Sequence, residues 1–353
     1  MGCAVSSTAA PTARAGVPPL GPDEWQVVAS MAGSASARAL SLTSRTTRAA
    51  VFAAVRRLDS LQLRWLDGGA GWLCRYAALL ALGLSDLGLR TEHFEALACA
   101  VGSLPQLALL DISHNARSDD ISTGAGLNQG FGRLLEALLA SCPNLEVLDA
   151  SANALGTGGA ISAAAELLRR SDSLRRLRLC DNLLGAAGGA AVASALGDGA
   201  AALQELDCGW NEIGDDGAEQ FGVALRFGAP RLVRLDLSGN RFLAEGRIGP
   251  RGVDALLAAL HEHVALRMLD LNGCRSTDAQ RTAAASSSRY RLAELDGDHA
   301  ADELTSLCVY DDAFEPPEHP RVAWCDANVD VTNGLLCSDV PPRQLEQCST
   351  VQQ

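Results

Sequence analysis

Lysine is absent from the 353 residues, so all 29 basic side chains are arginine. That excludes any mechanism resting on a lysine, including the P-loop phosphate site and the Schiff base. Codon bias in a GC-rich genome is the plain explanation, and it also fits the excess of alanine and glycine. No C-x-x-C pair occurs among the eleven cysteines, an odd number scattered from Cys3 to Cys348. This pattern fits reduced thiols in a cytoplasmic protein rather than a disulfide framework. Apolar runs of membrane-spanning length are missing, and no apolar stretch follows Met1, so neither a transmembrane helix nor a secretory signal is expected.

Catalytic and metal-binding signatures are missing as well. His261 and His263 stand two residues apart, a spacing that does not place both imidazoles on one side of a helix. His319, Cys325, Cys337 and Cys348 lack zinc-ligand spacing, so no metal and no cofactor are expected. Neither G-x-S-x-G, nor a dinucleotide glycine fingerprint, nor a framed Cys/His pair occurs, and a non-enzyme is expected. Net charge is −13, with 13 acidic residues from Ala293 onward against only Arg321 and Arg343. Such a balance argues against nucleic acid as a partner.

What the chain does have is one phrase repeated. Leu174, Leu177, Leu179 and Asn182 recur as Leu203, Leu206, Cys208 and Asn211, then as Leu232, Leu235, Leu237 and Asn240, with the asparagines 29 residues apart. Upstream, Leu145, Leu148, Ala150 and Asn153 fit the frame, as do Leu107, Leu110, Ile112 and Asn115, 38 residues earlier because of an insertion near Asp119 to Gln129. Leu79, Leu82, Leu84 and Leu87 fit with leucine in place of asparagine. Downstream, Leu266, Leu269, Leu271 and Cys274 fit with extra length in Ala244 to Pro250, making seven legible repeats. Leu58, Leu61 and Leu63 suggest an eighth start.

The spacing predicts a short strand that buries alternate residues, followed by a helix burying an i, i+3, i+4 stripe. Phe131, Leu134, Leu135 and Leu138 form such a stripe, and so do Val253, Leu256, Leu257 and Leu260. One repeat cannot cover either face alone, so neighbours stack into a continuous core. The recurring asparagine is placed to satisfy backbone groups where the chain leaves each strand.

These segments carry the leucine-rich repeat signature, L-x-x-L-x-L-x-x-N. Runs such as Asn211-Glu-Ile-Gly-Asp-Asp-Gly-Ala resemble the long-repeat class typified by ribonuclease inhibitor, over roughly Tyr76 to Leu295. The resemblance implies an α/β solenoid with parallel strands on a concave face and helices on a convex face.

The expected organisation is a flexible leader over residues 1–20, a helical segment over 21–63, repeats over 64–295 and an acidic, mostly disordered tail over 296–353. Met1-Gly2-Cys3-Ala4-Val5-Ser6 matches the acceptor pattern for myristoylation at Gly2, and Cys3 could take palmitate as the second anchor that stable membrane attachment requires. Residues 21–63 resemble an F-box in Pro22-Asp-Glu and in Leu40-x-Leu-x-Ser-Arg-x-x-Arg48. That resemblance implies docking on the adaptor of a cullin-type ubiquitin ligase; a plain helical cap for the solenoid is the alternative, and both stay open. A third reading, on the likeness to Ran GTPase-activating proteins, would give Arg117 a role at a GTPase. Trp65 and Trp72 are expected at the joint between helical segment and repeats. In the tail, Leu304 to Tyr310 is either a cap folded over the last repeat or a linear motif.

Strand residues between the leucines should point onto the concave wall, where solenoids bind. Asp111, Asp149, Asp207, Asp236 and Asp270 form a column there, which Arg178 interrupts. The candidate partner-binding patch is Arg176, Arg178, Glu205, Asp207, Trp210 and Arg234, with His114 and Asp181 at its rim. The partner expected there is a protein.

Overall fold

Hydrogen bonding between repeats follows the asparagine frame. The structure is a computed structural model, and it describes residues 56–58, 63, 66–116, 125–156, 159–240, 246–286, 290–292 and 307–311. Eight parallel strands pair in chain order: β1 (Arg57–Leu58), β2 (Ala81–Gly83), β3 (Leu109–Asp111), β4 (Val147–Asp149), β5 (Arg176–Arg178), β6 (Glu205–Asp207), β7 (Arg234–Asp236) and β8 (Met268–Asp270). Between them run α1 (Thr91–Val101), α2 (Ala125–Ser141), α3 (Gly159–Arg170), α4 (Gly185–Gly199), α5 (Gly214–Phe227) and α6 (Pro250–Glu262), and α7 (Asp278–Ala285) follows β8. This is a leucine-rich-repeat solenoid.

The middle leucine of each repeat, from Leu82 to Leu269, pairs with its counterpart one repeat on, and all are buried. Phe131, Leu134, Leu135 and Leu138 meet the sheet from α2, and Val253, Leu256 and Leu260 from α6. Among the described residues the apolar side chains form one continuous cluster from Leu58 to Val309.

Five buried asparagines tie the turns together. Asn153, Asn182, Asn211 and Asn240 each accept through Oδ1 from the backbone N–H of the asparagine one repeat earlier, at 2.8–3.0 Å. Their amides donate to carbonyls, as Asn211 does to Leu179 and Gly209 at 2.8 and 2.9 Å. Cys274, in the asparagine slot of the last repeat, donates its thiol to the Leu237 carbonyl at 3.5 Å. Leu87, in that slot of an early repeat, lends its backbone N–H to Asn115 Oδ1 at 3.1 Å.

Two features depart from the simple repeat frame. Leu58 sits opposite Leu82, so it occupies the middle position of its turn and not the first, as the triplet Leu58, Leu61 and Leu63 suggests. The register is set by Leu80 and Ala81, whose N–H groups both donate to the Arg56 carbonyl. At the other end, Leu307 to Asp311, inside the segment expected to be mostly disordered, contains β10 (Cys308–Asp311). It runs antiparallel to β8 and separates it from β9 (Tyr290–Leu292). Leu307 and Val309 are buried, and the Leu271 N–H donates to the Leu307 carbonyl at 2.8 Å, so this segment caps the last repeat.

At the other joint, Trp72 is partly buried and meets Tyr76 edge-on at 5.9 Å between ring centroids. Trp65, Arg117, Gly2, Cys3 and nearly all of 21–63 lie outside the described residues.

Candidate functional site

The aspartate column has a local cause. Asp111, Asp149, Asp207, Asp236 and Asp270 each accept through Oδ1 from the backbone N–H two residues on, at 2.9–3.1 Å. This is the turn that short acidic side chains make where a strand ends. The second carboxylate oxygen remains for other contacts, and Arg178 uses it: Nη1 donates to Asp149 Oδ2 at 2.9 Å. On the same strand Arg176 pairs with Glu205 at 3.2 Å. Arg178 thus reaches back one repeat and Arg176 reaches forward one, and all four side chains stay partly exposed.

Beside this wall runs a ridge. The residue before each asparagine slot adopts left-handed backbone, at Asp86, His114, Ala152, Asp181, Trp210, Gly239 and Gly273. Aspartate and glycine enter this region readily, but tryptophan with φ of 56° does not. The turn imposes this backbone on whatever residue stands there, Ala152 included, and the Trp210 ring is accommodated over Gly239, where a built Cβ would lie 2.5 Å from the indole. Trp210 remains half-exposed there, whereas Asp86, His114 and Asp181 are exposed.

The structure therefore brings Arg176, Arg178, Glu205 and Trp210 onto neighbouring turns of one surface. Asp207 and Arg234 share it in position but are buried, at 8% and 6% exposure. They shape the charge of the wall rather than present contact area. The wall changes along its length: outward positions of β3 and β5 are half-exposed, while those of β7 and β8, including Asp236 and Asp270, are buried. Burial, reinforced by the neighbouring Asp236, pushes the Asp207 carboxyl well above the usual range. Burial and Asp149 raise Asp111. Burial also raises Asp181, against a lowering by His114.

Two participants lay outside the sequence-derived patch. Asp149 is the partner of Arg178, and Gly239 is the seat of Trp210. Both stand 29 residues from the residue they serve, so the repeat interval itself was the signal that could have paired them. His263, half of the histidine pair, is a buried structural residue: Nδ1 accepts from the Leu266 N–H at 2.9 Å and Nε2 meets the Ala229 carbonyl at 3.0 Å.

No family model matches the chain, and no curated protein sequence matches it. Solved structures similar to it include Leiomodin-1 actin-binding site 2, at 19% identity over 48% of this chain and 90% of that one, with a TM-score of 0.35. The tropomodulin C-terminal domain of Caenorhabditis elegans is 16% identical over 53% of this chain and 85% of that one, with a TM-score of 0.29. Rad7, solved in complex with Elc1 in yeast, is 12% identical over 63% of this chain and 71% of that one, with a TM-score of 0.31. Likeness this distant transfers no partner and no residue role, and the fold stands on its own strands and asparagine ladder.

Proposed function

We propose that this chain is a non-catalytic protein-interaction module of the ribonuclease-inhibitor-like class, binding a protein on its concave face. The observation that carries the proposal is the in-register row of part-exposed charged pairs, Arg178–Asp149 and Arg176–Glu205, beside half-exposed Trp210. Side chains already held by ion pairs across adjacent strands lose little further freedom when a partner docks, which lowers the cost of binding. Arginine and tryptophan are also the side chains that most often anchor interfaces. Affinity purification with the full chain and with a Trp210→Ala, Arg178→Ala variant tests this. Partners should be lost by the variant; recovery of the same set would reject the face.

Two further assignments rest on sequence patterns beyond the described residues. Residues 21–63 would make the module a substrate receptor of a cullin-type ubiquitin ligase, which capture of the ligase adaptor by the full chain tests. Acylation at Gly2 and Cys3 would hold it at the cytoplasmic face of a membrane, and Gly2→Ala should then release it.

A further inference from the structure

The concave wall is divided by burial and by charge, and the division specifies what its open part can hold. Toward the C-terminal end the outward positions Arg234, Asp236, Met268 and Asp270 are buried, so little surface is left there for a partner. From β3 to β5 the wall is part-exposed and combines three kinds of residue. Leu109 offers part-exposed apolar surface at the start of β3, with Val147 buried beside it at the start of β4. Asp111 and Asp149 follow in the next outward row, and the ridge beyond carries Asp86, Asp181 and the indole of Trp210.

The charges in this part do not balance. Both arginines are engaged within the wall, Arg178 by Asp149 and Arg176 by Glu205, so each pair is close to neutral. Asp111, which Arg178 offsets only in part, and Asp181 remain as surplus negative charge, with His114 acting on Asp181 and exposed Asp86 on the solenoid turn just before that of β3. The upward displacement of Asp111 and Asp181 is the local response to partial burial of negative charge. An anionic partner would meet repulsion and would have to break an existing ion pair to reach an arginine. A cationic side chain would find carboxylates, apolar surface for its methylene stem and an indole for its charge.

Resting on the binding-module reading above, we propose that the part-exposed half of the concave face, from β3 to the Trp210 ridge, binds an extended segment of a partner protein through that segment's arginine or lysine side chains.

The full chain is titrated with a short fluorescein-labelled peptide alternating arginine with serine, and with the same peptide carrying glutamate in place of arginine. The arginine peptide should bind and the glutamate peptide should not. Asp111→Asn with Asp181→Asn should weaken binding about tenfold or more. Asparagine retains an Oδ1 acceptor for the turn at Ser113, so the melting temperature should hold and loss of binding can be read as loss of charge. Asp326→Asn, Asp330→Asn and Asp339→Asn, in the acidic C-terminal segment, should leave affinity unchanged.

Equal binding by the Asp111, Asp181 variant, equal loss in the C-terminal variant, or preference for the glutamate peptide would each overturn the proposal. Binding that emerges only when Arg38, Arg45 and Arg48 are replaced by glutamine would also overturn it, by putting a segment of the chain itself in the hollow. If Trp210→Ala with Arg178→Ala abolishes partner recovery while the arginine peptide is ignored, the binding module stands and the cationic partner falls.

Discussion

At the scale of single residues, the buried asparagines of the described repeats each join one turn of the solenoid to the next. Asn211 accepts from the Asn182 N–H at 2.8 Å and donates to two carbonyls, all in a fully buried setting. Alanine there would take this partner from the buried N–H groups of Asn182 and Leu184 and from the Leu179 carbonyl, while the Gly209 carbonyl keeps the Asp181 N–H; each orphaned group costs about 1–3 kcal/mol. Asn211→Ala should therefore lower unfolding free energy by about 2–4 kcal/mol in urea denaturation, part of the loss being relieved by local relaxation. A change of a few tenths would show that the ladder is decorative. The sequence marked these positions through their 29-residue interval, and the role inferred for them, satisfying backbone groups of neighbouring turns, is the one observed. Other residues were only half legible. The aspartates stood out as a column, but whether each faced a partner or its own backbone depended on an N–H two residues away.

At the scale of elements, each helix depends on its neighbours as well as on its own composition. α6 begins with Pro250 in its first turn, preceded by Gly249, which has no side chain to cap it. Asp215 of α5 supplies the cap, accepting from the Gly249 and Gly252 N–H groups at 2.7 and 2.8 Å through Oδ1. Asp215→Ala should cost about 1–2 kcal/mol, and Asp215→Asn, which keeps the acceptor, clearly less. The difference between the two in a thermal melt separates capping from loss of charge. α7 has an internal cap instead: Thr277 Oγ1 accepts from the Gln280 N–H, and Gln280 Oε1 accepts from the Thr277 N–H. That reciprocal pair is readable from local sequence. The Asp215 contact is not, because its partners lie 34 and 37 residues away across an irregular insertion.

At the scale of the whole molecule, a solenoid is stable only if its ends are closed, since each repeat contacts little beyond its neighbours. β10 performs this at the C-terminal end, with Val309 and Leu307 buried against the last repeat. Val309→Asp would place a carboxylate in that apolar contact and should destabilise by at least about 3 kcal/mol. The loss should be graded: hydrogen exchange should rise first in β8 and β7 and last in β2 to β4. A uniform rise along the sheet would mean that the chain unfolds as one unit, with no local dependence on its cap.

The sequence by itself determined the solenoid, the buried leucines and the asparagine ladder, because each depends on a local pattern repeated at a nearly constant interval. Tertiary structure alone decided the register of Leu58, the antiparallel insertion of β10, the burial of Asp207 and Arg234, and the seating of Trp210 on Gly239. Those outcomes depend on which turn lies beside which and on how much solvent reaches the wall, and periodicity carries no record of either.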